Sequence, residues 1–251
     1  MKTALGEFTP SNPSLHFLLY GPLGAGKSSM VNSVNTVFQG RSDILTDNFT
    51  FQYKTYKIKD KQDRELSFVF NDIMGLTDTE TGGVLTADII SALKGHIKDG
   101  YKFNPSSPLT AGLYYNSNPT LDEKIHCLVC VIPAPRILQL DEKHAIIMKM
   151  REVRDVAVKL DIPHVVLMTH VDIISCPLVE ENLDKIYFSK KIKKAVSFFA
   201  CSIKLGVAMN CIFPVQNYHE ENCVDEKVDC LVLDALNKIV NFANDYVKEQ
   251  I

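Results

Sequence analysis

Gly21-Pro22-Leu23-Gly24-Ala25-Gly26-Lys27-Ser28 spaces three glycines, a lysine and a serine as G-x-x-x-x-G-K-S, a pattern that binds phosphate. Glycines let the backbone curl tightly enough for its N–H groups to converge on an anion. Lys27 adds a point charge near the terminal phosphates, and the Ser28 hydroxyl is a ligand for Mg²⁺. Gly21, Leu23, Gly24, Ala25, Gly26, Lys27, Ser28 and Ser29 are therefore the expected phosphate contacts. Leu15 to Tyr20 reads as a buried strand, and Met30, Val31, Val34, Val37 and Phe38 recur at helical spacing after the loop. Strand, glycine loop and helix N-terminus is the order that aims a helix dipole at a phosphate.

Two later stretches narrow the chemistry. Asp72-Ile73-Met74-Gly75 follows the apolar run Leu66 to Phe70 and has the D-x-x-G pattern of GTPase folds. There an aspartate at a strand end holds Mg²⁺, and the Gly75 N–H approaches the γ-phosphate because no side chain intervenes. Thr169-His170-Val171-Asp172 ends a second apolar run, His164 to Met168, and resembles the [NT]-K-x-D motif that reads guanine. An aspartate accepts from the N1–H and exocyclic amine of guanine, a pair of donors that adenine lacks. His170 stands where the motif has lysine; an imidazole can stack on the purine instead. The other reading of Asp172 is a helix cap. Gln216-Asn217-Tyr218 follows the next candidate strand, and Asn217 joins Thr169, His170 and Asp172 as a base contact. Ser28, Asp72 and a threonine are the expected metal ligands; Thr46 and Thr50 both fall in the right interval, with Thr46 preferred. Leu76 occupies the position after D-x-x-G where Ras-type GTPases carry a water-orienting glutamine, so any hydrolysis is expected to be slow or to need a partner.

These residues must be positioned by a sheet. Short apolar runs at 125–132 and 164–168, and a weaker one at 211–215, alternate with helical stretches near 85–93, 140–160, 183–205 and 225–247. That alternation predicts an α/β, doubly wound, mostly parallel sheet with helices on both faces. Residues 49–58 and 66–70, joined by the charged turn 59–64, read as a hairpin feeding it. Residues 1–14 read as an extension and 15–251 as one nucleotide-binding domain. It is interrupted by an irregular stretch, 99–120, that is long for a compact fold and carries Pro105, Pro108 and Pro119.

Composition bounds the alternatives. A chain of 251 residues with 46% apolar and 23% charged content is that of an ordinary globular protein. A net charge of −3 disfavours nucleic-acid partners. No apolar run reaches the roughly 18–20 residues of a membrane span, and the first ten residues lack the apolar core of a secretory leader. Seven scattered cysteines fit a reducing compartment. Cys127 and Cys130 form one C-x-x-C inside an apolar run; a single pair closes no zinc site, and His126, His144 and His164 show no ligand spacing. Lys190-Lys191-Ile192-Lys193-Lys194 reads as a solvated helix face before it reads as a lipid-binding patch.

With these motifs in order, the chain resembles the interferon-induced protein 44 family of GTPase-like proteins. The resemblance rests on residues 21–40, FNDIMGL (70–76), LKGHIKDGYKFNP (93–105), KIHCLVC (124–130) and THVD (169–172), and covers roughly 15–247. It implies a P-loop, Ras-like fold that binds GTP or GDP with Mg²⁺ through Lys27, Ser28, Asp72 and Asp172. It further implies a cytoplasmic, interferon-induced antiviral protein with weak or partner-dependent GTPase activity. The alternatives are a non-enzymatic scaffold with a degenerate site and, less favoured, an ATP-binding P-loop protein. Longer members carry a preceding TLDc-type domain, and self-association across the nucleotide is plausible by likeness to GTPases that dimerise.

Overall fold

A strand forms over Leu15–Tyr20 (β1) because its apolar side chains are covered on both faces; every residue but His16 is buried. The computed structural model describes residues 14–42, 44–46, 50–79, 82–171, 198–218 and 224–251. From β1 the chain passes through the glycine loop into α1 (Lys27–Gln39), whose first residue is preceded by Gly26 in the left-handed region (φ 89). Gly40, also left-handed, ends the helix and donates its N–H to Thr36 O at 2.7 Å.

The expected hairpin is present: β2 (Lys54–Lys59) runs antiparallel to β3 (Glu65–Asp72). It starts later than the alternation predicts. Residues 51–53 bond instead to the irregular stretch, with Tyr53 N–H donating to Tyr101 O, Gly100 N–H to Tyr53 O and Phe103 N–H to Phe51 O, at 2.7, 2.8 and 3.2 Å. Thereafter come α2 (Thr86–Leu93), β4 (Cys127–Pro133), α3 (Ala134–Gln139), α4 (Ala145–Lys159), β5 (His164–Thr169), α5 (Phe198–Leu205), β6 (Ile212–Pro214) and α6 (Glu226–Gln250). The sequence pattern predicts a helix near 140–160; α4, capped by His144, fills 145–159 of that range, and short α3, with Pro135 in its first turn, is an additional helix ahead of it. The 172–182 connection and most of the predicted 183–205 helix, including the lysine run, lie outside the described residues.

The six strands form one sheet in the order β2-β3-β1-β4-β5-β6, parallel except for β2. Helices α1 and α6 pack on one face and on each other; α2, α4 and α5 group on the other. This is the doubly wound α/β P-loop architecture. The buried apolar side chains make one contiguous cluster from Leu15 to Val247. Connections leave both sides of β1, so the carboxyl ends of β1, β3, β5 and β6 meet at the crevice where the strand order reverses, the place where open α/β sheets bind ligands. Among the described residues, no helix is long and apolar enough to cross a membrane.

Candidate functional site

At that crevice lies a cleft of about 520 Å³, within the size range of small-molecule sites. It is lined by the glycine loop from Leu23 to Ser29, by Thr46, Thr50 and Phe51, by Ile73 to Gly75, and by His170, Asn217 and Tyr218. Most of the expected phosphate, metal and base residues thus meet in one place. Gly21 supports the loop from beneath, and the Asp72 and Thr169 side chains reach it through their hydrogen bonds. Asp172 lies outside the described residues.

The loop owes its shape to close approaches. A side chain at Gly21 would place its Cβ 2.0 Å from Val131 O, and one at Gly75 would fall 2.5 Å from Leu23 Cα. That second contact reflects backbone pairing: Leu76 N–H donates to Gly21 O (2.9 Å) and Leu23 N–H to Leu76 O (3.0 Å). The D-x-x-G segment is therefore zipped to the glycine loop. Leu76 is buried in the core, and its side chain is not among those lining the cleft.

Several carbonyls of the loop are engaged by side-chain donors. Lys27 Nζ donates to Gly21 O and Pro22 O at 3.5 and 3.2 Å; Thr169 Oγ1 donates to Ala25 O at 2.8 Å. Asn217 Nδ2 donates to Gly26 O at 3.0 Å. The N–H groups of Gly24 and Gly26 find no acceptor among the described residues, and the first-turn N–H groups of α1 have no intrahelical partner. These unpaired donors belong to residues that line the cleft at a helix N-terminus, which suits an anion.

Beside it, three oxygens converge. Ser28 Oγ and Thr50 Oγ1 both donate to Asp72 Oδ2, at 2.6 and 2.8 Å, and lie 3.2 Å from each other. Asp72 also accepts the Ile73 N–H through Oδ1 at 3.0 Å. Burial pushes its carboxyl above the usual carboxylate range, opposed by the Lys27 charge and by the Ser28 and Thr50 hydroxyls. Burial likewise lowers the Lys27 ammonium, opposed chiefly by Asp72. Hard oxygen donors with one buried carboxylate are a set that fits Mg²⁺. Thr46, the threonine preferred from the sequence, is turned elsewhere: its hydroxyl donates to Ser28 O (3.2 Å) and its N–H to Asn32 Oδ1 (2.8 Å). Thr50 is the one that joins Ser28 and Asp72.

On the other side, His170 adopts a left-handed conformation (φ 54), and its Nδ1 lies 3.0 Å from Thr169 Oγ1. The Thr169 hydroxyl proton already goes to Ala25 O, so His170 must donate from Nδ1, which leaves Nε2 as an acceptor when the ring is neutral. Asn217 lines the cleft, and its Nδ2 donates to Gly26 O, which also accepts the Met30 N–H (2.9 Å); the Ser33 hydroxyl proton goes to Ser29 O (2.8 Å), which leaves Asn217 Oδ1, 3.4 Å from Ser33 Oγ, without that donor.

Sequence reasoning missed Asn32 and Ser33. Asn32 Oδ1 accepts the Leu45 and Thr46 N–H groups, and Ser33 Oγ accepts the Tyr218 N–H (2.9 Å). Asn32-Ser33 is one of two polar pairs among the apolar residues of α1, with Asn35-Thr36 the other, so no signal in the sequence singled it out. Cys127 and Cys130 are buried thiols in β4, both raised by burial, and no group of three or more metal-binding side chains occurs among the described residues.

No protein-family model matches this chain. It is 36% identical over 242 residues to interferon-induced protein 44 of Mus musculus, covering 92% of this chain and 55% of that protein. Identity to the Homo sapiens protein of that name is 33% over 243 residues (94% and 53%). For the Homo sapiens interferon-induced protein 44-like it is 31% over 245 residues (94% and 53%). The chain spans about half the length of the curated relatives it matches. Among solved structures, a probable GTP-binding protein engB aligns with 89% of this chain and 99% of its own at 14% identity, with a TM-score of 0.46. Over the half of those relatives that it spans, the chain belongs to the interferon-induced protein 44 family.

Proposed function

We propose that this chain binds a guanine nucleotide with Mg²⁺, the phosphates on the 21–29 loop and the cation beside Ser28, Thr50 and Asp72. The observation that carries the reading is the meeting of the donor-lined loop with the Ser28–Thr50–Asp72 oxygens at one end of the sheet. When bound, the cation would neutralise charge on the phosphate chain. Lys27 is poised to do the same, because its present acceptors are neutral carbonyls, which a phosphate oxygen would replace with a stronger charge-assisted bond. Guanine preference rests on the Thr169-to-Asp172 motif and would come from the Asp172 carboxylate.

The relatives' name supports expression induced by interferon, with an antiviral role as the biological context. Buried Leu76 favours binding without efficient hydrolysis, because that position offers no group to orient water. A binding switch or scaffold is therefore preferred over a fast GTPase. Displacement of a fluorescent GDP analogue tests the reading. Lys27→Ala is expected to weaken GDP at least about tenfold, the scale of one charge-assisted bond, with the fold retained by circular dichroism. Unchanged affinity in that variant would overturn it.

A further inference from the structure

The geometry points to Lys149, a residue outside the cleft, as a positioning residue for the third phosphate of a bound triphosphate; this inference rests on the nucleotide reading above. The two phosphates that GDP and GTP share belong to the 21–29 loop. A third would reach Gly75, which lines the cleft and whose N–H finds no acceptor among the described residues. Where that N–H stands depends on what holds the chain beyond it.

Leu76 is bonded on both sides. Its N–H and carbonyl pair with Gly21 and Leu23 of the glycine loop, and an antiparallel bridge joins it to Gly83, with the Val84 N–H donating to Gly75 O at 3.2 Å. Gly83 is left-handed (φ +76), and a Cβ there would fall 2.5 Å from Gly75 O. Past Leu76 the core gives no such support. Thr77 is half-buried, Asp78 and Thr79 are exposed, and the Thr77 hydroxyl donates to Gly82 O within the same turn. Lys149, in the second turn of α4, closes this end. Its Nζ donates to Thr77 O at 2.9 Å and to Thr79 O at 3.1 Å. One ammonium thus gathers two carbonyl oxygens that would repel each other without it. Asp78 lies 3.7 Å from Arg136 and 3.3 Å from His144, but its side chain is 51% exposed, and ion pairs in such surroundings contribute little. Removing the Lys149 charge lets 77–79 spread, and the shift reaches Gly75 through the Leu76–Gly83 pairing. The 21–29 loop keeps its own bonds to Lys27 and Thr169.

The test measures the affinities of GDP and a non-hydrolysable GTP analogue in Mg²⁺ for the unsubstituted chain, Lys149→Met and Lys149→Arg. Lys149→Met, which keeps an apolar stem, is expected to weaken the GTP analogue about tenfold, the scale of one hydrogen bond to a charged group, and to leave GDP within about twofold. Retained GDP binding also reports an intact fold, since general destabilisation would weaken both nucleotides alike. Lys149→Arg, whose guanidinium can serve both carbonyls, is expected to recover part of the loss. Equal weakening of the two nucleotides, unchanged affinity for the analogue, or no recovery by arginine would overturn the inference and leave the nucleotide reading standing. Absence of binding by the unsubstituted chain would overturn that reading and this inference with it.

Discussion

Asp72 accepts two hydroxyls on one oxygen, and that pairing favours Thr50 over Thr46 in the proposed cation site. Thr46 and Thr50 lie in the same interval between α1 and β2, so spacing alone does not separate them. Their contacts do: Asn32 accepts the Leu45 and Thr46 N–H groups and the Thr46 hydroxyl donates to Ser28 O, whereas the Thr50 hydroxyl lies 3.2 Å from Ser28 Oγ. Thr50→Ala is therefore expected to remove about tenfold of nucleotide affinity in Mg²⁺ and little in chelator, the scale of one polar contact to a charged group. Thr46→Ala should shift both conditions equally. Affinities measured with and without Mg²⁺ check this; a Mg²⁺-dependent loss confined to Thr46→Ala would return the role to Thr46. The glycine loop, Asp72 and Thr169 were legible in the sequence because their chemistry is local. The contacts of Asn32, Ser33 and Asn217 were not, because each joins segments apart in the chain.

At the scale of elements, two joints bear on how the site is held. β1 and β4 are tied at their starts by His16 and His126. The His16 N–H donates to His126 Nδ1 (3.0 Å), and His126 Nε2 donates to Leu121 O (2.9 Å). Those two bonds need the neutral ring; a proton on Nδ1 would oppose the His16 N–H. Burial lowers both imidazoles, His16 to about 4, with the neighbouring His126 adding to its shift. Because the folded values lie below the ordinary value near 6.5, the neutral pair's contribution to stability is fully present above pH 6.5 and is lost as pH falls from there through about 4. Imidazole proton resonances of the folded chain should show His16 titrating near 4; a midpoint near 6.5 would contradict the packing described.

The second joint is the irregular stretch. Its prolines and asparagines suggest an excursion or a lid, and periodicity cannot reveal that it pairs with 51–53. In the fold it is anchored on several sides: Asp99 Oδ1 accepts the Thr55 N–H, Asp88 Oδ1 accepts the Leu109 N–H, and the His96 ring stacks on Tyr115 at 5.4 Å. The stretch thus grips the chain immediately after Thr50. Hydrogen exchange is expected to protect the Tyr53, Gly100 and Phe103 amides in the nucleotide-free chain as strongly as those of β2. Rapid exchange at these three positions would show a loose lid.

For the whole molecule, sheet order explains why distant motifs share a cleft. With β1 between β3 and β4, the loop after β1 meets Asp72 from one side and the ends of β5 and β6 from the other. The alternation of apolar runs and amphipathic stretches made this architecture legible, since covered parallel strands and two-sided helices leave a periodic trace. Helix α3 left a weaker trace, Pro135 in its first turn ahead of the apolar-periodic 140–160 segment. Whether this assembly binds guanine nucleotide with Mg²⁺ is tested most directly by calorimetric titration of the purified chain. The ligands are GDP, a non-hydrolysable GTP analogue and an ATP analogue, each with and without Mg²⁺. Saturable binding of both guanine nucleotides is expected, strengthened by Mg²⁺ and at least about tenfold tighter than the ATP analogue, the scale of discrimination by hydrogen bonds to the base. No binding, or equal affinity for the two bases, would contradict it.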